Sequence, residues 1–89
     1  MNLDYGNVEP SFDTVQITIS LNRISDVSRF VELVSKCEDD VVVRSGRFAV
    51  NAKSIMGLFS LDLAKTVKVE FYGDIPCIVR EEIKDFIVD

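Results

Sequence analysis

Two stretches in which apolar and polar residues strictly alternate constrain the fold more than any other feature of the sequence. They cover residues 15–22 and 66–72. A period of two residues is typical of a strand with one face on the core and one in water. The inward sets are Val15, Ile17, Ile19 and Leu21 in the first stretch, and Val67, Val69 and Phe71 in the second. We therefore predict a sheet whose outer face is bare and carries Gln16, Thr18, Lys68 and Glu70.

A helical period follows the first strand. Four apolar residues have the spacing of one helix face: Val27, Phe30, Val31 and Val34. Ser25 and Asp26 offer side-chain acceptors for the first free amide groups, so we interpret Asp26 as an N-cap. This helix is predicted to end at Lys36 or Cys37, where the acidic run Glu38-Asp39-Asp40 begins.

A hairpin is predicted in the middle of the chain. The β-branched run Val41-Val42-Val43 indicates a strand, and Phe48-Ala49-Val50 indicates its partner. The turn between them contains Gly46, which can adopt the positive φ that tight hairpins require.

The chain is predicted to end in a helix. Gly73-Asp74 forms a turn, and Pro76 suits a first helical position. The apolar stripe of the helix consists of Ile75, Val79, Ile83 and Phe86 or Ile87.

The order of elements is β-α-β-β-α-β-α, which predicts an α+β protein. A strand-helix-strand crossover followed by a hairpin favours a fourth strand inserted between the first two. The result is an open-faced α/β sandwich with an antiparallel sheet and all helices on one face. With 89 residues there is room for one domain, predicted over residues 13–89. Residues 1–12 show no apolar period and are predicted to be an extension, disordered in part.

Composition excludes several classes of function. The net charge is −5 and the ten basic residues are dispersed, so we exclude nucleic acid as a partner. No apolar run approaches the roughly 20 residues that span a bilayer, so no membrane partner and a cytoplasmic location are expected. Cys37 and Cys77 form no metal-binding pair. Two buried thiols are predicted, and a disulfide between them is the alternative. The acidic runs 38–40 and 81–82 lack the pattern of a calcium loop. We expect no metal, no cofactor and no enzymatic activity, since no nucleophile-base pair is visible.

The stretch from Lys53 to Leu61 carries the candidate site. Ser54 is placed to cap a short helix. The apolar residues that follow cannot all lie on one stripe, which leaves some apolar surface for a partner. The better core candidates are Leu58, Leu61 and Leu63, and the exposed patch is predicted to consist of Ile55, Met56 and Phe59.

The run Lys53-Ser54-Ile55-Met56-Gly57, then Ser60-Leu61 and the strand near Val67, resembles the serine-site segment of one family. This family is HPr, the histidine-containing phosphocarrier of the bacterial sugar phosphotransferase system. The resemblance extends, with lower specificity, from Val15 to the C-terminus. It implies the strand order 1-4-2-3.

The family relays phosphate through a histidine, and this chain has no histidine. Counting back from Ser35-Lys36 places the family's histidine position at Arg23. A guanidinium is always protonated and too delocalised to accept a phosphoryl group. The resemblance is therefore to the catabolite-repression branch, whose members also lack the histidine and keep the serine.

The resemblance also implies roles for the candidate site. Ser54 matches the serine that a dedicated kinase/phosphorylase phosphorylates in many family members. A phosphate at a helix N-terminus meets free amide groups, with Lys53 adjacent. Ile55, Met56 and Phe59 match a patch that docks partner proteins, here HPr kinase/phosphorylase or a transcriptional regulator. Lys53 is predicted to bind the partner beside this patch. The alternative for Ser54 is a cap without phosphorylation.

A second hypothesis makes the chain a structural domain that self-associates and has no phosphorylation role. A homodimer would form through the apolar patch or through a solvent-facing Val42, or by exchange of the first strand. This hypothesis and the regulatory one both remain open from the sequence.

Overall fold

A four-stranded sheet with helices on one face forms the protein, and the computed structural model describes residues 14–88. The predicted extension over residues 1–12 lies outside this range. The strands are β1 (Val15–Ile19), β2 (Val41–Ser45), β3 (Phe48–Asn51) and β4 (Val67–Phe71). The helices are α1 (Ile24–Val34), α2 (Ile55–Phe59) and α3 (Cys77–Glu82), and a 3-10 helix (Ile83–Asp85) follows α3.

The strand order is β1-β4-β2-β3, and all neighbours are antiparallel. Val69 at the centre of β4 pairs with Ile17 of β1 and with Val43 of β2. The apolar faces of the three strands therefore coincide. The predicted insertion of the fourth strand between the first two is confirmed.

The core lies between this apolar face and the helices. Helix α1 contributes Val27, Phe30 and Val34, none of which has measurable exposure. Phe30 meets Phe86 edge-to-face at 6.1 Å between ring centroids. The sheet contributes six residues to the same core cluster: Ile19, Val41, Val43, Val67, Val69 and Phe71. The apolar face of α1 and the apolar face of the sheet thus pack against each other in one layer. The helical and strand periods of the sequence predict this packing.

The start of α1 differs from the prediction. Arg23 occupies the N-cap position with an extended backbone, and its side chain makes no capping hydrogen bond. Asp26 lies within the first turn, and its carboxylate is 3.6 Å from the Nε of Arg23. The interpretation of Asp26 as the N-cap is wrong because the helix begins earlier, at Ile24. Its carboxylate still faces the positive end of the helix dipole.

The hairpin matches its prediction closely. Ser45 pairs with Phe48, so the turn consists of two residues, Gly46 and Arg47. Gly46 has φ +58°, in the left-handed region that a residue without a Cβ occupies without strain.

The outer face of the sheet is exposed only in part: Gln16 and Lys68 are exposed, as predicted, whereas Glu70 is buried. Glu70 is 1% exposed, and Val42 has no measurable exposure although it is outside the core cluster. Arg44, Gln16 and Tyr72 converge on Glu70 on this face. The prediction of a solvated Glu70 is wrong because it took every outward position to face water. The suggested dimer through a solvent-facing Val42 is also wrong, because Val42 is buried.

The C-terminal region departs from a single helix. Pro76 is the N-cap of α3 rather than its first residue, and the helix tightens to a 3-10 turn at Ile83. Phe86 is buried whereas Ile87 is 40% exposed, which settles the alternative left open for the stripe. Cys37 is buried and Cys77 exposed, and both are free thiols, so the prediction of two buried cysteines is half wrong.

Candidate docking site around Ser54

Ser54 caps helix α2 at its N-terminus. Its backbone is extended at φ −104°, and its Oγ accepts the amide proton of Gly57 at 3.2 Å. Its carbonyl oxygen accepts the amide of Leu58 at 3.1 Å. A Cβ at position 57 would lie 3.3 Å from the Ser54 Oγ and 3.4 Å from the Val50 Cβ. The glycine therefore lets the cap close against β3.

Burial divides the apolar side chains of α2 in the way that their spacing predicts. Leu58 is completely buried, whereas Met56 is 77% exposed. Ile55 and Phe59 are 37% and 43% exposed. Leu61 lies in the core, and Leu63 packs against it from its edge. Helix α2 thus presents a surface formed by Ile55, Met56 and Phe59, which we call the α2 patch.

Lys53 has a structural partner. Its ammonium group donates a hydrogen bond to the carbonyl oxygen of Cys37 at 2.7 Å, and its side chain is half-buried. Its backbone N–H donates to the Oδ1 of Asn51 at 2.9 Å. These bonds join the start of α2 to the residues that follow α1. Burial raises the pKa of the Cys37 thiol, and the Lys53 charge only partly opposes this.

Arg23, which the sequence count predicts to lie at the family's histidine position, is at the N-terminus of α1. The Arg23 side chain is 79% exposed and pairs only loosely with Asp26. The next residue, Ile24, is 75% exposed, which was not predicted. Ile24 lies three residues before Val27, so helical spacing predicts a shared face, yet only Val27 is buried. Helix α1 thus exposes an apolar side chain in its first turn, and α1 contacts α2.

Other sites are not visible among residues 14–88. No group of His, Cys, Asp or Glu in this range could hold a metal ion. None of the helices described is long and apolar enough to cross a membrane. Glu70 is the only buried charged side chain of the range, and it lies on the sheet face opposite the helices.

Comparison with known proteins places these features in a family. The family model described as the phosphorylation site of the HPr component of the phosphotransferase system matches residues 25–87. A crystal structure of HPr-C-His from Thermoanaerobacter tengcongensis has a TM-score of 0.64 and 30% identity. That alignment covers 81% of this chain and 86% of the other. A search of curated proteins gives no match.

A second solved structure agrees in fold. It is the phosphocarrier protein HPr from Bacillus anthracis str. Ames, with a TM-score of 0.63 and 21% identity over 84% of this chain and 98% of the other. The sheet order and the helices on one face thus define a sandwich of the phosphocarrier class. The chain belongs to the HPr family of the phosphotransferase system.

Proposed function

We propose that this HPr-family domain is a non-catalytic regulatory module that binds other proteins and does not relay phosphate through histidine. The chain contains no histidine, and the position that the family resemblance assigns to it holds Arg23. A protonated guanidinium has no lone pair available for a phosphoryl group. The observation that carries the proposal is the 77% exposure of Met56, two residues after the capping Ser54. Family membership supports a cytoplasmic location and protein partners of the phosphotransferase system.

Phosphorylation of Ser54 would act directly on the α2 patch. A phosphate adds about 1.5–2 negative charges at neutral pH and three acceptor oxygens. The first amide groups of α2 are placed to meet it. The ammonium of Lys53 is already bonded to Cys37, so the helix amides rather than this lysine would support the phosphate. The modification would therefore change the charge beside Ile55 and Met56 without disturbing the core.

The phosphorylation step is tested by intact mass after incubation with HPr kinase/phosphorylase and ATP. We expect one added phosphate on the wild type and none on Ser54→Ala. Ser60→Ala is the matched control, because Ser60 is an exposed hydroxyl at the other end of the same helix. It should be modified like the wild type. A wild type without added phosphate would contradict regulation by phosphorylation of Ser54.

The docking step is tested by calorimetry with the same kinase. Met56→Lys places a charge in the α2 patch, and we expect binding to weaken by about tenfold or more. Ile78→Lys is the control, because Ile78 is 49% exposed on α3. Equal affinity of the two variants would contradict docking through α2.

Self-association through the α2 patch is the competing function, since an exposed apolar surface suits a second copy as well as another protein. Light scattering over a range of concentrations separates the two. A dimer that Met56→Lys dissociates would favour self-association. A monomer at all concentrations would leave the regulatory proposal.

A further inference from the structure

The two edge strands of the sheet, β1 and β3, differ in whether other residues cover their free backbone groups. The edge of β1 is covered by the C-terminal residues: Val88 N–H donates to the Thr18 carbonyl at 3.0 Å, and Ser20 N–H donates to the Phe86 carbonyl at 2.9 Å. Ile19 also forms a bridge with Ile87. The other edge of the sheet is β3.

The edge of β3 is open among residues 14–88. The Ala52 N–H donates to the Val41 carbonyl at 2.9 Å, which fixes the alternation of bonds along β2 and β3. Val50 and Phe48 therefore bond to β2, and the backbone groups of Ala49 and Asn51 point outward. The Asn51 carbonyl accepts the Ser54 N–H, whereas the described part of the chain offers no partner for the outward groups of Ala49.

The edge of β3 is protected only by the short length of the strand, which has four residues. Natural edge strands are also blunted by charged residues, proline or bulges. The strand Phe48–Asn51 contains none of these three devices. Phe48 is 69% exposed at its start.

A positively charged cleft adjoins the start of β3. It has a volume of about 430 Å³ and lies between the hairpin turn and the loop that joins α2 to β4. Arg47 and Lys65 line it from the two sides, and neither forms an ion pair with a described residue. Asp62 also lines the cleft, and its Oδ1 accepts the Ala64 N–H at 3.2 Å. The three charges sum to +1 in a chain of net charge −5.

The charges around β3 disfavour a second copy as the occupant. The β3 strand of a second copy, Phe48–Asn51, contains no acidic residue that could neutralise Arg47 or Lys65. An acidic segment could neutralise both charges.

We propose that the open edge of β3 binds an extended, acidic segment of a partner protein as an additional strand. The backbone of the segment would bond to the outward N–H and carbonyl of Ala49 and to the outward N–H of Asn51. An apolar side chain of the segment would contact Phe48, and its acidic residues would meet Arg47 and Lys65. The α2 patch takes no part, so this surface is independent of the proposed function.

The probe is a synthetic acetylated peptide, Glu-Asp-Val-Thr-Val-Thr-Val-Asp-Glu, titrated into the ¹⁵N-labelled protein and followed by amide chemical shifts. We expect shifts and slowed hydrogen exchange at Ala49 and Asn51. Two variant proteins are tested: Ala49→Pro should abolish the response, and the double variant Arg47→Glu, Lys65→Glu should weaken binding by about tenfold or more. Ile78→Lys is the matched control, because Ile78 is an exposed apolar residue on α3, and it should bind the peptide like the wild type.

Two peptide controls keep the test valid if a variant folds poorly. A version with alternate N-methylated residues keeps the charge but loses backbone donors, and we expect it not to bind. A version with lysine in place of the four acids should bind at least about tenfold more weakly. The proposal is overturned if millimolar acidic peptide leaves β3 unshifted, if the shifts fall on α2 or β1, or if either control peptide binds equally well.

Discussion

Glu70 is the residue whose environment departs furthest from expectation. Its carboxylate accepts hydrogen bonds from Arg44 Nε at 2.8 Å, Tyr72 Oη at 2.7 Å and Gln16 Nε2 at 2.9 Å. These partners come from β1, β2 and the residue after β4. A buried charge is tolerated when every acceptor site is used in this way. The cluster therefore ties three strands together in one register on the outer face.

Replacing the charge at position 70 should destabilise the fold. Glu70→Gln leaves Arg44 without its buried counter-charge and weakens the bonds to the carboxylate. We expect a loss of about 2 kcal/mol in the free energy of unfolding, measured with urea. Glu38→Gln, at an exposed position, is the control and should change stability by less than about 0.5 kcal/mol. Equal effects would contradict a stabilising cluster.

The same carboxylate makes stability depend on pH. Burial alone raises the pKa of Glu70, but the hydrogen bonds from Tyr72 and Arg44 outweigh it and lower the pKa below its ordinary value of 4.5. A lowered native pKa contributes stability that is complete above pH 4.5 and is lost as the pH falls further. Urea unfolding at pH 7 and at pH 3.5 should therefore show the wild type and Glu70→Gln converging at the lower pH. A constant difference would contradict this.

At the scale of elements, the five residues of helix α2 include both a buried core residue, Leu58, and a largely exposed one, Met56. Leu58→Ala should cost about 2–5 kcal/mol, because it removes a completely buried side chain. Met56→Ala should change the free energy of unfolding by less than about 0.5 kcal/mol. Thermal unfolding of the two variants measures both values. Similar losses would show that Met56 is part of the core.

The periodicity of the sequence predicted helices and strands correctly where one side of the element faces the core. The stripe of α1, the alternation of β1 and β4 and the turn at Gly46 are all local patterns, and each one appears in the structure. The missed features depend on contacts between distant segments. Nothing near Glu70 in the sequence reveals Arg44 and Gln16, and the spacing of Ile24 from the buried Val27 gives no sign that Ile24 is exposed. The family resemblance supplied the strand order, which periodicity left open.

At the scale of the whole molecule, the cover on the β1 edge should govern solubility. Ending the chain after Phe86 keeps the buried aromatic ring but removes the Val88 hydrogen bond and the Ile87 bridge. We expect concentration-dependent association, because an uncovered strand edge pairs with other chains. Sedimentation velocity on the truncated and full chains measures it. Ile87→Ala, which keeps the backbone bonds, should stay as soluble as the full chain.

The arrangement of charge along the strands has a consequence for how the molecule meets a partner. Arg47 and Lys65 lie at the end of the sheet where β2 turns into β3, whereas Glu38, Asp39 and Asp40 precede β2 at the other end. These two groups of charges give β2 a positive end at the hairpin and a negative end at its start. In the field of an acidic protein the molecule would rotate hairpin-first before touching. Added salt would slow this encounter without altering a single contact of the complex.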